Sequence, residues 1–145
     1  MTKNLKWLAA ILIFSAMGGC GGRHSPAGFR LPENGDVERG KTAFVEMKCY
    51  SCHTVANVEL PAPTSVGLPV PLGGKVHETR TDGYLVTSII HPSHRLAPQR
   101  TALMAPEGES HMPDFTRSMT VRQLVDLVAF LQSTYQIEPP PYAAP

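Results

Sequence analysis

The sequence predicts an all-α domain with three main helices and long loops wrapped round something large and apolar. Three observations carry that reading. Apolar residues recur at helical spacing in three separate stretches, and no stretch alternates with the period of two that a half-buried strand would show. Two long segments between the helices have no period and are rich in proline. Helices this short bury little by themselves, so a loop-rich chain of 145 residues with 12 Gly and 14 Pro needs a further apolar body to close its core.

The first nineteen residues read as a targeting segment. Lys3 and Lys6 give a positive start, "LAAILIFSAM" an apolar run too short for a comfortable span, and Gly18 and Gly19 the small residues of a cleavage site. The alternative is an N-terminal anchor helix that is never cut. Apolar run, small residues and then Cys20 resemble the lipobox of bacterial lipoproteins. That resemblance implies cleavage before Cys20 and lipid attachment to it, which would hold the chain on a membrane surface without a spanning helix. Gly21 follows, with no Asp there, as in the members of that family sorted to the outer membrane. The resemblance thus implies export to the periplasmic side, with the outer membrane favoured over the inner.

Removing residues 1–19 takes away two lysines and no acid, leaving 11 basic against 12 acidic residues. A near-neutral chain argues against nucleic acid as a partner. Residues 20–35 read as a Gly- and Pro-rich flexible tether, with the folded domain spanning 36–135.

"DVERGKTAFVEMK" reads as the first helix, with Asp36 as N-cap and Val37, Gly40, Phe44 and Met47 on one face. Gly40 costs such a helix about 1 kcal/mol relative to Ala, which is understandable if something packs closely there. Residues 57–76 hold four prolines and must run as extended loop. "TDGYLVTSII" reads as a second helix from Asp82 to Ile90, stopped by Pro92, and residues 92–119 are again irregular. The last helix is the clearest. Thr120 and Gln123 form a capping box ahead of a stripe of Val121, Leu124, Leu127, Val128 and Leu131, with Phe130 beside it. The Pro-rich tail, 136–145, reads as frayed.

At the end of the first helix stands "CYSCH". Cys49 and Cys52 are one helical turn apart and His53 follows at once. This is the attachment signature of haem c. Two thiols add across the two haem vinyl groups, and the adjacent imidazole lies under the iron. A thioredoxin-like redox pair would want a strand before the motif. A zinc site would need further ligands downstream, for which His91 and His94 could be offered. A plain disulfide leaves His53 without a purpose. With three cysteines in all, one takes lipid, two take haem and none is left over.

"GDVERGKTAFVEMKCYSCH", "HMPDF" and "LVDLVAFL" together resemble the mono-haem class I c-type cytochromes, over roughly residues 35–135. The resemblance implies one covalent haem c held by Cys49 and Cys52, with His53 as the proximal iron ligand. It implies that the first and last helices cross, with Gly40 and Phe44 against Leu127 and Phe130. In that family a carbonyl of a Pro-containing loop orients the proximal imidazole. Here the stretch is "GLPVPLGG", where Pro69 and Pro71 both qualify and Pro71 is favoured.

Candidates for the sixth iron ligand are Met104, Met112, Met119, His77, His91, His94 and His111. Pro113 favours Met112, because proline pushes the residue before it into extended geometry. "MPDF" ahead of the last helix also resembles the family's axial Met loop. His111 and Met104 are the rivals, whereas Met119 and Met47 read as core. A His/Met haem favours ferrous iron.

These residues make the chain an electron carrier rather than an enzyme, with redox proteins of a transport chain as partners and no small-molecule substrate. Two alternatives stand beside it. One is a fixed cytochrome subunit of a larger membrane complex, since "YLVTSIIHP" resembles the segment ahead of the Met loop in oxidase-associated cytochrome c domains. The other is a gas sensor or enzyme with a labile sixth ligand.

Overall fold

The computed structural model describes residues 28–65, 69–95 and 109–139. The signal segment, Cys20 and Met104 lie outside the described residues.

Three helices form where the spacing predicts them: α1 (Val37–Glu46), α2 (Asp82–Ile90) and α3 (Val121–Thr134). Each start is capped by a side-chain oxygen that satisfies an otherwise orphaned backbone N–H. Asp36 accepts from Arg39 N–H at 2.8 Å, Thr81 from Tyr84 N–H at 3.2 Å, and Thr120 from Gln123 N–H at 3.2 Å. The Gln123 side chain returns a bond to Thr120 N–H at 2.9 Å, completing the capping box.

α1 packs principally on α3. The close approach expected at Gly40 is present: a Cβ there would lie 2.0 Å from the Asp126 carbonyl oxygen and 2.7 Å from Phe130 Cβ. Beside it, the Phe44 and Phe130 rings meet edge to face with centroids 5.7 Å apart, a geometry worth about 1 kcal/mol beyond the area it buries. Leu127, Val128 and Leu131 from α3 and Leu85, Val86 and Ile89 from α2 complete the buried cluster, and Met119 packs against it as expected. Two positions of the expected stripes face outward. Val37 and Val121 open their helices and are 39% and 77% exposed, because the first residue of each helix projects beyond the crossing. Met47 is half-buried as the C-cap of α1.

Four short strands depart from the strand-free expectation. β1 (His53–Val55) pairs in parallel with β2 (Val70–Leu72), and β3 (Gly74–Val76) with β4 (Tyr135–Ile137). Three-residue strands are too short to show a period in sequence. Gly73 and Gly74 turn the chain between β2 and β3 at φ +73° and +76°. A Cβ on Gly73 would also lie 2.6 Å from Thr134 Oγ1, so the turn sits tightly on the end of α3.

The domain also reaches further at both ends than its expected bounds of 36 and 135. On the C-terminal side, β4 carries the chain past Tyr135, and Glu138 N–H donates to Val76 O at 2.9 Å while its carboxylate meets Lys75 Nζ at 2.8 Å. Residues 136–138 are therefore paired rather than frayed. On the N-terminal side, Leu31 packs on the core and donates its N–H to Asp82 at 3.3 Å, and Arg122 reaches Asn34 O at 3.3 Å. The stretch from Leu31 thus lies along the domain instead of acting as tether. No helix among the described residues is long and apolar enough to cross a membrane.

Candidate haem site

The motif that was expected on the first helix sits just beyond it. Lys48 adopts a left-handed conformation (φ 57°) that ends α1, and the chain restarts as a 3-10 turn over Cys49–Ser51. Ser51 N–H and Oγ–H both donate to Lys48 O, at 2.9 and 2.6 Å, and Cys52 N–H donates to Cys49 O at 3.2 Å. This turn, not a helical turn, sets the spacing of the two sulfurs. Both thiols are unpaired with each other: Cys49 is half-buried and Cys52 exposed, so the disulfide alternative is not formed. Burial pushes the Cys49 thiol up to about 11.

The wrapping loop is fastened to the same turn. Thr64 and Ser65 N–H both donate to Ser51 O, at 3.1 and 2.9 Å, and Val70 N–H donates to Cys52 O at 2.8 Å. The β1–β2 register then sets His53 opposite Val70. His53 Nδ1 lies 3.3 Å from the Val70 carbonyl oxygen. A carbonyl only accepts, so Nδ1 carries the proton and the lone pair belongs to Nε2, the tautomer a metal-binding imidazole uses. The orienting carbonyl is thus that of Val70, and not of Pro71 as expected from the sequence. Parallel pairing puts Pro71 opposite Thr54, one step too far along, and leaves it exposed. The carbonyl still comes from the proline-flanked loop. Only the strand register, which sequence spacing does not reveal, separates the two residues.

Ahead of α3, Met112 is half-buried and His111 exposed. Two serines hold this segment: Met112 N–H donates to Ser110 Oγ at 3.2 Å, and Ser110 N–H donates to Ser93 Oγ at 3.1 Å. Ser93 lies in the 3-10 turn Pro92–His94 that follows α2, so the Met112 segment is tied to that turn. After Pro113, Asp114 accepts from Thr116 N–H at 2.8 Å and Thr116 Oγ1–H at 2.7 Å, and these two bonds hold its carboxyl below the usual range. Phe115 O then accepts from Met119 N–H at 2.9 Å, leading the chain into α3. Neither serine stood out in sequence, because serine is common in loops and its partner here is 17 residues away.

A second unanticipated group braces the helices behind the site. Asp126 is buried on α3 and accepts from Asp36 N–H at 2.9 Å and from Arg39 Nε at 2.9 Å. The Arg39 hydrogen bond holds its carboxyl below the usual range, against the opposing effect of burial. An acid inside an apolar stripe is the signal that could have revealed it.

No group of three or more His, Cys, Asp or Glu side chains gathers among the described residues, so Cys49 and Cys52 do not share a zinc site with His91 and His94. Two thiols, a correctly protonated imidazole and a long loop tied back over them fit a covalently attached haem. The family model for cytochrome c matches residues 37–135. The chain belongs to the cytochrome c family. No curated protein and no solved structure matches it. Membership brings with it a covalently attached haem c, one for a single domain, and the general role of haem-based electron carrier. The three helices agree with the all-α cytochrome fold, to which this chain adds its four short strands.

Proposed function

We propose that the protein is a membrane-anchored mono-haem cytochrome c that carries single electrons between respiratory redox partners. The observation that carries this reading is the His53 Nδ1–Val70 O contact, which presents Nε2 as a metal ligand directly beside two unpaired cysteines. Cys49 and Cys52 would hold the haem through thioethers, S–H adding across each vinyl C=C with no net change of oxidation state. His53 would supply the imidazole and Met112 the thioether that hold the haem iron. The haem, when bound, would supply one-electron Fe(III)/Fe(II) cycling. With the iron held by two protein side chains, no position would remain for a substrate, which is why the reading is carrier and not enzyme.

Cys20 carries the lipid, and the chain works on the periplasmic side of a membrane, the outer one favoured. Anchoring raises its local concentration beside membrane-bound redox partners. A fixed subunit of a larger complex would share all of these features; co-purification with a partner in mild detergent would favour it, and isolation as a lone monomer the shuttle.

The ligand set is tested by the near-infrared charge-transfer band of a sulfur–iron bond in the oxidised protein. Met112→Ala should abolish the band while the haem stays covalently attached. If Met112→Ala keeps the band, another methionine such as Met104 is the ligand; if wild type lacks it, the second ligand is a histidine such as His111, or the sixth position is open. Tight cyanide binding by the resting protein would point to the last of these.

A further inference from the structure

The turn after α2 carries two imidazoles that the haem site does not use. His91 is the C-cap of α2, its N–H donating to Thr87 O at 2.8 Å. Pro92 opens the 3-10 turn Pro92–His94, and His94 N–H donates to His91 O at 2.9 Å. The backbone beneath the pair is thus closed by hydrogen bonds and stiffened by a proline ring. The two rings are exposed, with centroids 5.6 Å apart and planes tilted by 40°. They line a cleft of about 310 Å³ together with Tyr84, Ser88 and Arg95.

The spacing suits a chelate. A metal–imidazole bond of about 2.0–2.1 Å puts each ring centroid about 3.2 Å from the ion, so a tetrahedral angle separates the two centroids by about 5.2 Å. The observed separation is a few tenths of an ångström wider, which small side-chain rotations of two exposed rings can close. Among the described residues no carboxylate lines the cleft, and Arg95 adds a positive charge. That lining disfavours calcium and magnesium, which want several oxygen ligands, carboxylates among them. Imidazole suits zinc, copper and nickel instead.

We infer that His91 and His94 form a two-imidazole site for a divalent transition-metal ion of this class. The described residues supply these two imidazoles and no third His, Cys, Asp or Glu gathered beside them, so water can complete the coordination. Two protein ligands and an adjacent arginine give a weak, exchangeable site rather than a structural one. The inference rests on the proposed function in one respect only, that neither His91 nor His94 is the distal iron ligand.

The test is calorimetric titration of the full-length ferric haem protein with zinc chloride, with wild type, His91→Gln, His94→Gln and, as control, His77→Gln. One equivalent should bind to wild type, and each of the first two substitutions should weaken binding about tenfold or more, while the control binds as wild type. An unchanged Soret band certifies that the variants are folded. In the ferrous, diamagnetic protein, zinc should also shift the ring signals of His91 and His94 before those of any other histidine. The inference is overturned if wild type takes up no zinc, if the two variants bind as wild type does, or if His77→Gln weakens binding as much as they do.

Discussion

At the α1–α3 junction a backbone carbonyl lies 2.0 Å from where a Gly40 Cβ would stand, two aromatic rings interlock, and a buried carboxylate receives three donor groups from Asp36 and Arg39. The Met112 segment is held quite differently, by single hydrogen bonds from backbone N–H groups to the hydroxyls of Ser110 and Ser93. The first region is over-determined: every neighbour would have to move if one did. The second rests on bonds each worth about 1 kcal/mol net. Stability should therefore be set at the helix junction. The Met112 side should then open at lower cost than the junction, and, if Met112 is the iron ligand proposed above, that is where it would be exchanged.

The largest effect expected from this contrast comes from Gly40→Ala. A methyl group forced against Asp126 O and Phe130 must part the helices, at about 3 kcal/mol or more, the upper end of what overpacking costs. Denaturant unfolding followed by haem absorbance measures it. A midpoint equal to wild type would mean that the junction is not the rigid half of the molecule.

Asp126→Asn comes next. It keeps the shape but weakens the acceptor for Asp36 N–H and Arg39, and should cost about 1–3 kcal/mol at neutral pH. Arg39 is 59% exposed, so water offsets part of the loss. The folded-state pKa of Asp126 is lowered, so its contribution is fully present above the ordinary carboxylate value. That contribution is lost as pH falls through the lowered one. The stability gap between wild type and Asp126→Asn should accordingly shrink as pH drops below about 4, and thermal melts across that window would show it. A gap that stays constant would assign the effect to packing rather than charge.

The same contrast explains what the sequence revealed. The helices were legible because period, cap and stripe all agree, down to the limits of α2 at Asp82 and Ile90. Gly40 was legible as a close approach because glycine inside a helix has a cost that needs a reason. The Cys49, Cys52 and His53 motif, by its spacing, pointed to the cytochrome c family, to which the chain belongs. The 3-10 turn carrying it was hidden, because it depends on the left-handed Lys48, a conformation lysine seldom takes. Val70 was hidden behind Pro71 because a strand register differs by one residue with no compositional trace. Asp126, Ser93 and Ser110 were hidden for a related reason: their partners are far away in sequence, and single polar residues do not announce long-range bonds.

The smallest effect on stability, and the sharpest test of the contrast, is Ser93→Ala. It removes the acceptor of Ser110 N–H, the bond that ties the Met112 segment to the turn after α2, and leaves the local Met112 N–H to Ser110 bond intact. Global unfolding should move by no more than about 1 kcal/mol. Local opening should respond in full, because the Ser110–Ser93 bond is broken when the segment swings away. If Met112 is the displaceable iron ligand, imidazole added to the ferric protein should bind up to about fivefold more tightly in Ser93→Ala, since 1 kcal/mol taken from the closed state is worth that factor. Under conditions where it remains folded, Gly40→Ala should show the opposite pattern, with a large loss in the denaturation midpoint and imidazole affinity near wild type. If both variants change both quantities in proportion, the Met112 segment and the helix junction unfold as one unit. The loosely held side would then be as tightly coupled to the core as the helices themselves.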